Sequence, residues 1–135
     1  MPSHLIDFQL FGDQFSTGEM RAVFDERAML QRWLDVEAAL AAAQAELGLI
    51  PAEAAEAIAR AARVDALDLE AVRRDLAVTA HPIVPLVREL GRAAGAGGRW
   101  VHWGATTQDI MDTGTALQLR AAHSILRRDT VTLVL

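Results

Sequence analysis

The sequence predicts an all-α protein, and three observations carry that expectation. Alanine, the strongest helix former, is concentrated between Ala38 and Ala96. Apolar side chains recur at spacings of three and four, the period of a helix buried along one face. Runs of β-branched residues, which mark strands, are nearly absent before the last few positions.

The elements follow in order. Residues Met1–Phe15, with Gly12 and Asp13, show no clean period and read as an extended arm. Ser16 or Thr17 can cap a short helix at Glu19–Phe24, with Glu19 in the first turn, where the helix dipole favours it. A long helix is expected over Glu26–Leu47. Its stripe of Met29, Trp33, Val36, Leu40, Ala43 and Leu47 has near-heptad spacing suited to a bundle. Gly48 stands where a left-handed cap belongs, and Pro51 opens the next helix, Ala52–Ala62, burying Ala55, Ile58 and Ala62. Asp68 can cap a helix carrying Leu69, Val72 and Leu76.

After the step Thr79-Ala80-His81-Pro82 comes a helix with Ile83, Val87, Leu90 and Ala94 on one face. Pro85 is expected to make its first turn irregular, and Gly95, Gly97 and Gly98 to end it. Arg99–Ala105 is expected to be extended. A last helix from near Thr106 carries Ile110, Leu117, Ala121 and Ile125 inward, with Gly114 permitting close approach of a neighbour. The apolar finish Val131–Leu135 reads as a chain cut inside an element.

A length of 135 residues suits one compact domain, and 23% charged residues suit a folded rather than a disordered chain. The missing residue types restrict the chemistry more sharply. Without cysteine there is no disulfide, zinc–thiolate site or thiolate nucleophile. All 13 basic residues are arginine, so Schiff-base and P-loop lysine chemistry are excluded. Tyrosine is absent too, leaving His, Asp, Glu, Ser, Thr and Arg to act. A net charge of −5 with dispersed arginines gives no nucleic-acid face. Met1-Pro2-Ser3-His4 does not begin a signal peptide, and no apolar run approaches the roughly 18–20 residues of a membrane span. The expectation is a cytoplasmic protein with no membrane partner.

Four histidines remain to be weighed. His4 and His123 fit surface or packing roles. His81 and His102 lie at loop-to-helix junctions, where side chains can converge on a site. None shows H-E-x-x-H spacing, so no metal site is expected. Gly91, Gly95, Gly97 and Gly98 follow no strand and precede no G-K-[ST], so helix termination explains them better than a phosphate loop.

The segment Val101-His102-Trp103-Gly104-Ala105-Thr106-Thr107-Gln108-Asp109 carries the clearest signal. Its plain reading is a helix start, since Thr106-x-x-Asp109 fits a capping pattern. That same geometry makes an anion site. A helix N-terminus presents unpaired N–H groups and a positive dipole end, and Thr106, Thr107 and Gln108 add side-chain donors. Gly104 allows close approach, and His102 stands just before it. The arrangement suits a carboxylate.

The run from His102 to Thr113 resembles the first conserved region of the fumarase/aspartase superfamily, which reads approximately H-x-G-x-T-S-x-D-x-x-D-T in the adenylosuccinate lyase branch. Thr79-Ala80-His81 resembles that branch's T-x-H element. Gln31–Ala41, with Trp33-Leu34-Asp35-Val36-Glu37-Ala38-Ala39-Leu40-Ala41, is similar to its W-L-x-V-E-x-A-L-A helix. Within the superfamily the likeness runs to the 3-carboxy-cis,cis-muconate cycloisomerase family. Pro82 follows His81 where adenylosuccinate lyases usually have Asp, and their N-terminal R-Y motif is replaced by Phe15-Ser16-Thr17-Gly18-Glu19-Met20-Arg21.

The resemblance implies an N-terminal helical domain over residues 1–105 and the beginning of a long central-bundle helix over 106–135. It implies lactonisation or β-elimination of a small polycarboxylate through an aci-carboxylate intermediate, in a homotetramer and without a cofactor. Thr106 and Thr107 match carboxylate-holding positions, and Thr107 stands where many relatives have Ser. His81 and His102 match histidines with supporting or orienting roles. Asp109 would fix the loop, and Gln108 could face substrate. The family's acid histidine and the serine base on a lysine-containing loop have no counterpart in these residues. The chain alone is therefore expected to be inactive, one wall of a site shared between subunits. Adenylosuccinate lyase activity and a non-catalytic helical binding or oligomerisation module are the alternatives.

Overall fold

The computed structural model describes residues 4–8 and 10–134; Met1-Pro2-Ser3 of the expected arm and the final Leu135 lie outside the described residues. Seven α-helices appear among them: α1 (Gly12–Phe15), α2 (Gly18–Val23), α3 (Glu26–Glu46), α4 (Ala52–Ala61), α5 (Leu69–Thr79), α6 (Ile83–Ala93) and α7 (Thr107–Val134). Short 3-10 turns at Leu5–Asp7, Val64–Ala66 and Gly95–Trp100 complete the set, and the described residues contain no strand. The all-α expectation holds.

The helices start where side chains can satisfy their free N–H groups. Thr17 accepts from the Met20 N–H at α2, Asp25 from Arg27 and Ala28 at α3, and Asp68 from Ala71 at α5. Gly48 adopts φ +70° after α3, the left-handed cap read from the sequence.

The long helix α3 is the spine, with α4 and α7 packed along it and the α5–α6 pair closing the other side through α4 and the Gly95–Trp100 turn. Leu34, Ile58, Ile83, Leu86, Leu90 and Ile110 form the fully buried centre. Each such aliphatic side chain contributes roughly 1.5–3 kcal/mol by burial, so this cluster dominates the packing energy. Two glycines admit close contacts there. The Gly98 backbone lies directly against the Gly91 carbonyl, leaving no room for a Cβ, and Gly97 touches the Ala54 backbone. Gly98 thus serves packing, while α6 ends at Ala93 and Gly95 takes the left-handed conformation after it.

Several expectations fail for identifiable reasons. The arm is not extended over its described part. Gly12 donates to the Phe8 carbonyl, and Arg21 reaches back to the Ser16 carbonyl and the Asp13 carboxylate, folding the segment into turns beside α2. Pro85 lies inside α6 without disturbing it, because the N–H it lacks belongs to a first turn that has no intrahelical acceptor. Arg99–Ala105 is a 3-10 turn followed by hydrogen-bonded turns rather than an extended run. Leu76 keeps 39% of its surface exposed and Val87 is only half-buried, while Val72, Ile83, Leu90 and Ala94 are inward as read.

The stripe of α3 holds in part: Trp33 is buried and Met29, Val36 and Leu40 pack half-buried against the core, but the most buried line runs one residue further on. Ala43 and Leu47 are exposed, and the buried face is Trp33, Leu34, Glu37, Ala41 and Gln44. On α7 the inward face is Ile110, Gly114, Gln118, Ala122 and Ile125, with Leu117 and Ala121 half-buried at its edge. Polar residues occupy inward positions on both helices. Gln118 donates to the Val23 carbonyl at 2.8 Å, tying α7 to the end of α2. Among the described residues no helix is long and apolar enough to cross a membrane.

Candidate functional site

The site nominated by the sequence is built where the chain turns from the Gly95–Trp100 segment into α7. Two polar side chains of α3, two turns apart, hold that corner. Gln44 donates its amide to the Trp103 carbonyl at 2.6 Å. The Glu37 carboxylate accepts the His102 backbone N–H through one oxygen at 3.1 Å and meets the His102 ring Nδ1 through the other at 2.6 Å. Glu37 is only 2% exposed. Burial is the main influence on its carboxyl and pushes it above the usual glutamate range, with the bonds from His102 pulling the other way.

His102 itself has φ +59°, a left-handed conformation that costs an L-residue roughly 1–2 kcal/mol. The two bonds to Glu37 help to offset that strain. Gly104 follows at φ +68° with open space around its α carbon. Trp100 and Trp103 meet edge to face across the same turn at 4.9 Å.

The helix start is arranged as the sequence suggests. Thr106 occupies the cap position and α7 begins at Thr107. The Asp109 carboxylate accepts the Thr106 N–H at 3.0 Å, one half of a capping box, and the Asp109 N–H bonds the Thr106 carbonyl at 3.1 Å. The N–H groups of Thr107 and Gln108 belong to the first turn and have no intrahelical acceptor. Thr106, Gln108 and Asp109 are exposed and Thr107 is half-buried. Gln108 donates to the Asp112 carboxylate, which turns its amide along the helix rather than across its end.

An open groove of about 460 Å³ runs beside this start, lined by Val36, Ala39 and Leu40 of α3 and by Gly104, Ala105, Asp109, Ile110 and Thr113. A larger recess of about 950 Å³ lies elsewhere, between the N-terminal turns and α2, and holds none of the nominated residues. The groove is the relevant space, because Gly104, Ala105 and Asp109 at the start of α7 line it, although Thr106, Thr107 and Gln108 do not.

His102, Thr106, Thr107, Gln108 and Asp109 therefore share one corner. His81 stands apart, on the α5–α6 turn after Ala80, whose φ of +51° ends α5. Its Nδ1 is buried without a hydrogen-bond partner among the described residues. His123 is exposed on α7, and His4 lies near Asp7.

Sequence reasoning missed Glu37 and Gln44. The signal was available. Leu30, Leu34, Glu37, Ala41 and Gln44 keep the same four-and-three spacing as the apolar stripe, one residue further on. Two polar members made that register look worse when scored on hydrophobicity alone.

The family model described as lyase matches residues 14–134. An N-acetyl-S-(2-succino)cysteine lyase of Enterococcus italicus is 50% identical over 96% of this chain and 29% of its own length. A 3-carboxy-cis,cis-muconate cycloisomerase of Pseudomonas aeruginosa is 46% identical over 90% of this chain and 27% of its own. The solved 3-carboxy-cis,cis-muconate lactonizing enzyme of Pseudomonas putida superposes with a TM-score of 0.83 at 42% identity, over 90% of this chain and 29% of that one. Adenylosuccinate lyases are also among the relatives. The chain thus spans under a third of the length of the proteins it matches. With the corner, the groove and nearly every described residue inside the match, the ancestry follows: this chain belongs to the lyase family of the fumarase/aspartase superfamily.

Proposed function

We propose that the chain forms the carboxylate-binding wall of an enzyme that makes or breaks a bond one carbon away from a carboxylate. The observation that carries this reading is the start of α7. The Thr106 N–H is taken by Asp109, the next two N–H groups have no intrahelical acceptor, and an open groove lined by Gly104, Ala105 and Asp109 lies at the same helix start. Negative charge that develops on carboxylate oxygens in an aci-carboxylate is stabilised most by donors already fixed in place.

The roles divide accordingly. Thr106 and Thr107 grip the carboxylate, Asp109 fixes the loop, and Gln108 faces the substrate once its bond to Asp112 is exchanged. His102, held by Glu37, orients substrate at this corner, and His81, which stands apart from it within this chain, has a supporting role. The acid and base come from sequence outside these residues, in a homotetramer whose subunits share each site. Residues 1–105 act as the helical N-terminal domain and 106–135 as the entry into the central bundle.

Two substrates compete. The first reading is 3-carboxy-cis,cis-muconate, closed to a lactone as a carboxylate oxygen adds across the double bond and the neighbouring carbon gains a proton. Pro82 after His81 supports it. The second is a succinyl thioether such as N-acetyl-S-(2-succino)cysteine, cleaved by loss of the thiol and of a proton from the adjacent carbon. The 50% identical relative favours it. Incubating the full-length gene product with both compounds and with adenylosuccinate decides. Turnover of either of the first two is expected; turnover of adenylosuccinate alone overturns both readings, and none overturns the proposal.

A further inference from the structure

We infer that Glu37 is a positioning residue for the site: its buried carboxylate keeps the His102 proton on Nδ1, so that the ring exchanges protons and hydrogen bonds with a ligand only through Nε2. The inference rests on the reading above that His102 belongs to the carboxylate wall.

The geometry leaves little freedom. An ionised carboxylate can only accept, and each Glu37 oxygen already faces one group of His102, the backbone N–H at 3.1 Å and the ring Nδ1 at 2.6 Å. With the carboxylate as acceptor, the ring proton must sit on Nδ1. Nε2 has no partner among the described residues, and the His102 side chain keeps 16% of its surface open. The backbone bond matters as much as the ring bond. It holds the backbone in its left-handed conformation, while the 2.6 Å ring bond is what keeps Nδ1, rather than Nε2, turned to the carboxylate. Glu37 lies deep on the inward face of α3, with 2% of its side chain exposed. A charged residue there without a partner is strongly disfavoured, so its pairing with His102 is what makes the position tolerable.

Glutamine offers a discriminating substitution because it keeps the shape and changes the hydrogen-bond logic. In Glu37→Gln the amide oxygen can accept the His102 backbone N–H, but the amide NH2 then faces Nδ1. Nδ1 must become the acceptor, and the proton moves to Nε2.

Two measurements test this. The first uses the full-length gene product with 15N-labelled histidine at mildly alkaline pH, with His102 assigned through His102→Asn. Ring 1H–15N correlations are expected to show the Nδ1–H tautomer for His102 in the wild type and the Nε2–H tautomer in Glu37→Gln. A wild-type ring that carries its proton on Nε2, or averages between the two, overturns the inference, whether or not Glu37→Gln folds. The second uses the full-length enzyme and whichever substrate it turns over. Glu37→Gln is expected to lower kcat/KM by about tenfold or more, and to have no further effect in a His102→Asn background. An equal loss in both backgrounds would show a merely structural Glu37 and overturn the inference. If the enzyme turns over none of the three substrates, the proposed reaction fails, while the histidine spectra still decide the role of Glu37.

Discussion

Gly114 of α7 lies directly on the indole of Trp33 in α3, so close that a Cβ there would sit 2.5 Å from Cδ1. This contact sets how near the two long helices run, and with it the distance from α3 to the corner that carries His102. Trp33 is 6% exposed and surrounded by core, so the ring has little room to retreat. Gly114→Ala is expected to destabilise the fold by roughly 1–3 kcal/mol despite the better helix propensity of alanine. Urea unfolding of both proteins checks it; a more stable variant would mean that the helices separate freely.

The cap at α7 is a second place where a single side chain matters. Asp109→Ala removes the acceptor for the Thr106 N–H and the negative charge near the helix start. A loss of about 1 kcal/mol is expected, with early amide exchange confined to the first turn of α7. Hydrogen exchange followed by NMR would show whether the fraying stays there or spreads.

Two buried glutamates respond to acid in opposite senses. Glu37 is raised above the ordinary value of 4.5, chiefly by burial, so its ionisation opposes folding. Its favourable contribution is complete below the ordinary value and is lost as pH rises through the raised one. Glu89 is lowered, chiefly by its bond with Arg92 and despite burial, and it also accepts the Asp68 N–H at 2.9 Å. Its contribution is present above 4.5 and is lost as pH falls through the lowered value. On acidification, the stability of the wild type relative to Glu37→Gln should therefore rise, and relative to Glu89→Gln it should fall. Urea titrations across this pH range test both signs at once.

The sequence made much of the fold legible because helix ends are written locally. Thr17, Asp25, Asp68 and Gly48 act within a few residues of where they stand, and three of them were readable as caps from spacing alone. The corner at His102 was legible as a helix start for the same reason. Its support was not, because the partners of His102 and Trp103 lie on α3, far away in sequence. Hydrophobic periodicity scores Glu37 and Gln44 as surface residues, although both are inward and each satisfies a specific group. The folded arm was hidden likewise, since it depends on Arg21 reaching back to Ser16 and Asp13.

On the proposed reading, in which other sequence supplies the acid and base, the 135-residue chain by itself is expected to turn over none of the three candidate substrates. Turnover by the purified chain would place the whole chemistry within these helices and refute the shared-site account.

The carboxylate-binding claim is tested most directly by kcat/KM of the full-length enzyme carrying Thr107→Val, which keeps the branched shape and removes the hydroxyl. The account predicts a fall of about 10²–10³-fold, as for loss of one preorganised donor to a developing anion, with Thr107→Ser staying close to wild type. An unchanged kcat/KM in Thr107→Val would contradict it.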